Sequence, residues 1–158
     1  MPKLGDGFPL EHRKEHVEGA LRPGMILYLD AAFTDPPKPK YVLVACLEPT
    51  PVLLLINSRL NPNVESDPAR AGCHLRLNAS DYPFLDHDSF LDCSKAYNLA
   101  DDTEVAGQLV ADLNRIKGEI RPDDRRHVIE LVRSSHSLSP RIRKAIEAGM
   151  SGGPESTP

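Results

Sequence analysis

Lys38, Lys40 and Arg59 flank two apolar runs, Asn57-Ser58 closes the second run, and His74, Arg76 and His87-Asp88 follow soon after. These residue types suit cleavage of a phosphodiester in RNA without a metal. The reaction needs a proton acceptor beside the attacking 2′-hydroxyl, a cation for the charge that develops at phosphorus, and a proton donor for the leaving oxygen. Histidine is the side chain that ordinarily titrates near neutral pH, so His74 and His87 are candidates for proton transfer. Lys40, Arg59 and Arg76 offer the cation and Asp88 an orienting carboxylate. Each has a plainer reading. His74 and Arg76 lie two apart and share one face of a strand, most simply its wet side. His87-Asp88-Ser89 is not a triad, because neighbours on an extended chain point apart, and Asp88-Ser89 is also turn chemistry. Cys73, His74 and Cys93 match no zinc-finger spacing, and His12 with His16 lacks a third ligand nearby.

The elements that must position these groups centre on residues 41–58. Tyr-Val-Leu-Val-Ala-Cys-Leu and Val-Leu-Leu-Leu-Ile-Asn-Ser, separated by Glu-Pro-Thr-Pro, predict an antiparallel hairpin. Neither run alternates polar with apolar, so both faces are covered. That suits the wall of a small closed barrel, or a sheet with a barrel interior on one side and helices on the other. Residues 25–31 predict a first strand. Residues 33–40, with three prolines, predict a loop. Residues 59–72 read as a long polar loop, 73–78 as a strand, and 78–87 as a connection whose Tyr82 and Phe84 plug one end of the barrel. Residues 89–93 and 95–99 are short strands, for five or six in all. Val42, Val44, Leu53, Leu55, Ile26 and Leu75 are expected in one core. Three- and four-residue spacing predicts helices over 103–116, 123–133 and 141–148, with Gly118 and Gly149 as stops. The organisation expected is a polar arm (1–21), one domain of barrel and helices (22–149) and a flexible tail (150–158). The fold class is α+β with a mainly β core. Strands one and three of an up-and-down meander run parallel, so the loops that follow them leave at the same end. Lys38, Lys40, Arg59 and Arg70 should then meet Asn57 and Ser58 in a cationic hollow suited to a phosphodiester.

Composition narrows the classes. The chain has 158 residues, 40% hydrophobic and 27% charged, which fits one domain with a real core. Aromatics are 5% with no Trp, which disfavours an extended base-stacking platform. Three cysteines without a C-x-x-C pair indicate neither a disulfide framework nor a zinc ribbon, and fit a reducing cytoplasm. No apolar run approaches the roughly 18 residues of a membrane span, so a soluble chain that avoids the membrane is expected. The net charge of −4 is unevenly spread: residues 81–104 carry seven acids against Lys95 alone, and 115–144 carry nine Lys/Arg against four acids. The basic stretch would meet phosphates or neutralise the acidic middle of its own or a partner subunit.

The order Arg22-Pro-Gly-Met-Ile-Leu-Tyr-Leu-Asp, a proline-rich loop, Lys40-Tyr-Val-Leu-Val, Leu55-Ile-Asn-Ser58 and His87-Asp-Ser-Phe-Leu-Asp-Cys resembles the PemK/MazF family of toxin endoribonucleases over about residues 21–99. The resemblance implies an SH3-like small antiparallel barrel of the CcdB/PemK type followed by C-terminal helices, in a type II toxin that cleaves single-stranded RNA without metal or other cofactor. It also implies a homodimer and an antitoxin protein as partners. Lys40 stands where the family's loop arginine stands, and Asn57 stands at its threonine or serine, with Ser58 beside it. These are the groups credited with activating the 2′-hydroxyl and serving the leaving oxygen. Lys38, Arg59, Arg70, His74, Arg76 and His87 would then contact substrate. Both key positions depart from the pattern: lysine lacks the planar fork that grips two phosphate oxygens, and asparagine cannot act as a base. Two other classes remain: the same barrel without catalysis, acting as an RNA- or protein-binding module, and a structural assembly protein.

Overall fold

The computed structural model describes residues 9–34 and 36–152. The first eight residues of the expected arm and the expected tail from 153 onward lie outside them. The predicted hairpin is present as β2 (Lys38–Cys46) and β3 (Val52–Asn57), joined through a turn containing the cis peptide Glu48-Pro49. β1 (Met25–Ala31) precedes it, and β4 (His74–Leu77), β5 (Ser89–Asp92) and the two-residue β6 (Tyr97–Asn98) follow. With β7 (Ile116–Glu119) they form one antiparallel sheet in the order β4-β5-β3-β2-β1-β7, with β6 also paired to β3. The sheet curls into a half-barrel, aided by register shifts at Ile26/Leu27 and Val44/Cys46. The fold is thus α+β with a β-dominant core, completed by helices at its C-terminal end.

The absence of alternation in β2 and β3 has a direct cause: the sheet carries a core on each face. Leu43, Ala45, Leu54, Ile56, Ile26 and Leu75 share a cluster with Val128 and Val132 of helix α5 (Pro122–Ser134) and with Ile146 and Met150 of helix α6 (Pro140–Ser151). Val42, Val44, Leu53 and Leu55 point the other way. They meet Val17 of helix α1 (Leu10–Ala20) and Val105 and Leu109 of helix α4 (Thr103–Ala111). The six residues expected in one core therefore divide between two, because consecutive strand residues face opposite sides and both sides are covered.

Other expectations shift in detail. The proline-rich loop ends earlier than expected, since residues 38–40 already belong to β2. Pro39 is tolerated there because pairing to β3 begins only at Tyr41, so Pro39 has no ladder partner on that side. The loop 59–72 contains two short helices, α2 (Pro62–Glu65) and α3 (Pro68–Ala71), each opened by proline and capped by Asn61 or Asp67. The helix expected over 103–116 stops at Ala111, where extended Asp112 caps a 3-10 turn at Leu113–Arg115, and the next residues are β7. Leu113 and Ile116 still reach the core served by Leu109, by a different backbone. α6 does not stop at Gly149: it runs to Ser151, and Met150 is buried. Among the described residues no helix is long and apolar enough to cross a membrane.

Candidate functional site

β1, β2 and β3 form a meander, so the β1–β2 loop and the exit of β3 lie at one end of the sheet. Leu29 pairs with Lys40, and Tyr41 with Ile56, which brings Lys40 abreast of Asn57. The Lys40 ammonium donates to Asn57 Oδ1 at 2.8 Å. Burial, and then the charge of nearby Lys38, hold Lys40 below the ordinary lysine value of 10.5. An anion bound beside the Lys40 ammonium would offset both effects.

Beside the pair opens a hollow of about 230 Å3. Tyr28 and Tyr41 form an aromatic wall, their ring centroids 4.7 Å apart, and Ile56 and Leu85 add apolar surface. Lys40, Ser58, Asp86 and His87 supply its charged and hydrogen-bonding groups together with Ser89. The Tyr41 hydroxyl donates to the Phe84 carbonyl at 3.2 Å, and burial, with a smaller contribution from Asp86, raises its pKa. His87 Nδ1 lies 3.1 Å from the Asp88 carbonyl. A carbonyl only accepts, so Nδ1 carries the proton and Nε2 of the neutral ring is left as a proton acceptor. Ser89 Oγ donates to the His87 carbonyl and fixes this turn.

The remaining candidates lie elsewhere. Arg59 lines a neighbouring cleft with Leu60, Glu65 and Phe90. Arg76 pairs with Asp88, whose other oxygen accepts from the Ala79 N–H. That N–H first, and Arg76 second, hold the Asp88 carboxyl below its ordinary range. The Asp88 carboxylate thus fixes a turn and an arginine, and it is the Asp88 backbone carbonyl that meets the His87 ring. His74 and Arg70 sit at the opposite end of the β4–β5 ladder from Ser89. The His74 side chain is only 3% exposed, with Nδ1 2.7 Å from the Arg70 carbonyl and Nε2 3.4 Å from Asp92, so it clasps the segment before β4 rather than facing solvent. His12 and His16 are exposed on α1, and no group of three or more His, Cys, Asp or Glu gathers as a metal site among the described residues.

Of the residues named from sequence, Lys40, Asn57, Ser58 and His87 are brought together, with Lys38 adjacent. Tyr28, Tyr41 and Asp86 were not foreseen there. Two tyrosines on the strands flanking one loop were an available signal, because an antiparallel register with Lys40 opposite Leu29 places Tyr28 opposite Tyr41. No protein-family model matches the sequence, and no curated protein is significantly similar to it.

Proposed function

We propose that the protein binds single-stranded RNA in this hollow and cleaves it as a PemK/MazF-like endoribonuclease of the type II toxin class. The observation that carries the reading is the convergence of Lys40, paired with Asn57, with Ser58 and His87 around one hollow at the end of the sheet where two loops leave. In this reading a base stacks on the wall of Tyr28 and Tyr41, with its phosphate beside Lys40 and Lys38. His87 Nε2 takes the proton of the ribose 2′-hydroxyl, and that oxygen attacks phosphorus to form a 2′,3′-cyclic phosphate. Lys40 stabilises the pentacoordinate charge, and its lowered pKa makes it a readier proton donor to the departing 5′-oxygen. Asn57 keeps the ammonium aimed, and Ser58 offers the phosphate a hydroxyl.

One observation favours a second reading, the same hollow binding RNA without cutting it. Lysine and asparagine replace the arginine and the hydroxyl residue of the resembled family, and they hydrogen-bond each other. Labelled single-stranded RNA incubated in chelator separates the two. Cleavage that disappears in Lys40→Ala and in His87→Ala supports the enzyme, whereas binding without products supports the module. In either case Lys40→Ala with Lys38→Ala should weaken binding and lower its salt dependence by about one counterion per lost phosphate contact. Charge reversal at Arg141, Arg143 and Lys144 should do little. Binding that survives the Lys38 and Lys40 substitutions and disappears with those on α6 would refute this site, and no RNA binding at any salt would refute both readings.

A further inference from the structure

Cys73 and Cys93 stand opposite each other where the β4–β5 ladder ends. The ladder pairs His74 with Asp92 and Leu75 with Leu91, so the next rung is Cys73 with Cys93, and the Cys93 N–H donates to the Cys73 carbonyl at 2.9 Å. Alternation along both strands puts the two thiols on one face, that of Leu75 and Leu91. Residues opposite each other in a hydrogen-bonded antiparallel pair have Cα atoms about 5.5 Å apart. Disulfides form over roughly 4.4–6.8 Å. The Cys73 N–H is turned away to the Arg70 carbonyl, and β4 is an edge strand, so this rung has freedom to adjust. Cys73 is partly exposed and Cys93 fully buried. Cys46, the third cysteine, is buried on β2 with its thiol 3.7 Å from the Thr50 carbonyl.

We propose that Cys73 and Cys93 form a modification site that closes a cross-strand disulfide by exchange with a small-molecule disulfide such as oxidised glutathione. The Cys73 thiolate attacks one sulfur of glutathione disulfide, making a mixed disulfide and releasing one glutathione thiolate. The Cys93 thiol then loses its proton and attacks the Cys73 sulfur, and the second glutathione leaves. Two protein thiols are oxidised and one glutathione disulfide is reduced to two thiols, so atoms and electrons balance. Burial above all pushes the Cys93 thiol far up, which makes it the resolving sulfur and the second step the slower one. The closed bridge staples β4 to β5, whose other edge pairs with β3 at Asn57.

The test treats the native, full-length protein with oxidised glutathione and reads intact mass and a non-reducing peptide map. Wild type and Cys46→Ala should become lighter by two hydrogens and yield a linked Cys73–Cys93 peptide, with a higher thermal midpoint, because the cross-link constrains the unfolded chain. Cys93→Ala should stop at a glutathione adduct on Cys73, and Cys73→Ser should gain no linked peptide. A wild-type protein that keeps the adduct unresolved, links either cysteine to Cys46, or forms only intermolecular dimers would overturn the proposal. The wild-type map decides alone if substitution at buried Cys93 unfolds the chain.

Discussion

Replacing one glycine by alanine should destabilise the protein in α6 and stabilise it in α4, and the structure sets the sign of each. A Cβ on Gly149 would lie 2.3 Å from the Ala45 carbonyl oxygen, 2.8 Å from Cys46 Cβ and 3.0 Å from Cys46 Cα. Two of the three are backbone atoms of β2, so no side-chain rotation relieves the contact and α6 must move off the sheet. That shift would also stretch the bond from Arg125 Nη1 to the Met150 carbonyl, now 3.1 Å. Overpacking of this kind costs about 1–3 kcal/mol. Alanine's better helix propensity returns at most about 1 kcal/mol. A contact at 2.3 Å with a backbone oxygen belongs to the upper part of that range, about 2–3 kcal/mol, so the net loss is about 1–2 kcal/mol, or roughly 2–8 °C in thermal midpoint for a chain of this size. Gly107, in the middle of α4, has nothing within 4 Å of its virtual Cβ. There Gly→Ala should give only the propensity gain, about 0.5–1 kcal/mol. Scanning calorimetry of Gly149→Ala and Gly107→Ala beside wild type reads both. Equal stabilisation by the two substitutions would mean that α6 does not pack on Ala45 and Cys46 at this distance.

Leu54→Ala and Leu55→Ala should each cost about 2–5 kcal/mol in denaturant unfolding, because these neighbours fill different cores. A loss below about 1 kcal/mol at either position would leave one face of β3 uncovered. Lys38→Met should raise the Lys40 pKa toward 10.5 without reaching it, since burial, the larger cause, remains; side-chain NMR titration checks this, and an unmoved value would mean the two ammonium groups do not interact. Both causes disfavour the charged form in the folded state. The resulting penalty is present below Lys40's lowered pKa and fades as pH rises toward the unfolded value, so this group's unfavourable contribution should shrink with increasing pH.

The strands were legible because runs of Val, Leu and Ile between prolines have few other ways to fold, and the two-sided burial of β2 and β3 was legible because neither alternates. Which helix covers which face was not. That depends on the crossing of α4 and α6 over the sheet, and local spacing carries no record of it. β7 was hidden inside a helical pattern: Leu113 and Ile116 continue the spacing of Val105 and Leu109, and the break comes from extended Asp112, a residue equally at home in a helix's last turn. At the site, Lys40 beside Asn57 followed from the meander alone, since that pairing needs only the register of two hairpins. The burial of His74 could not be foreseen, because alternation gives its face but not the loop carbonyl of Arg70 or the cross-strand Asp92 that enclose it.

The two-sided burial also limits where the central hairpin can meet a ligand. From Val42 to Cys46 and from Val52 to Ile56 every residue is buried, whichever face it points to. Polar side chains on β2 and β3 are therefore confined to the ends, and the end bearing Lys38, Lys40 and Asn57 is the one against which the Asp86-His87 turn folds. An anion reaching this end meets an ammonium already oriented by Asn57 and already destabilised by burial and by Lys38, so binding relieves an unfavourable charge as well as forming a favourable contact. A neutral ligand gains only the second effect. If the hollow selects phosphodiesters, the Lys40 pKa must therefore rise when RNA or a short phosphodiester is bound. Titration of the same NMR signal with and without ligand measures that rise, and a pKa that stays fixed while ligand binds would put the phosphate elsewhere on the molecule.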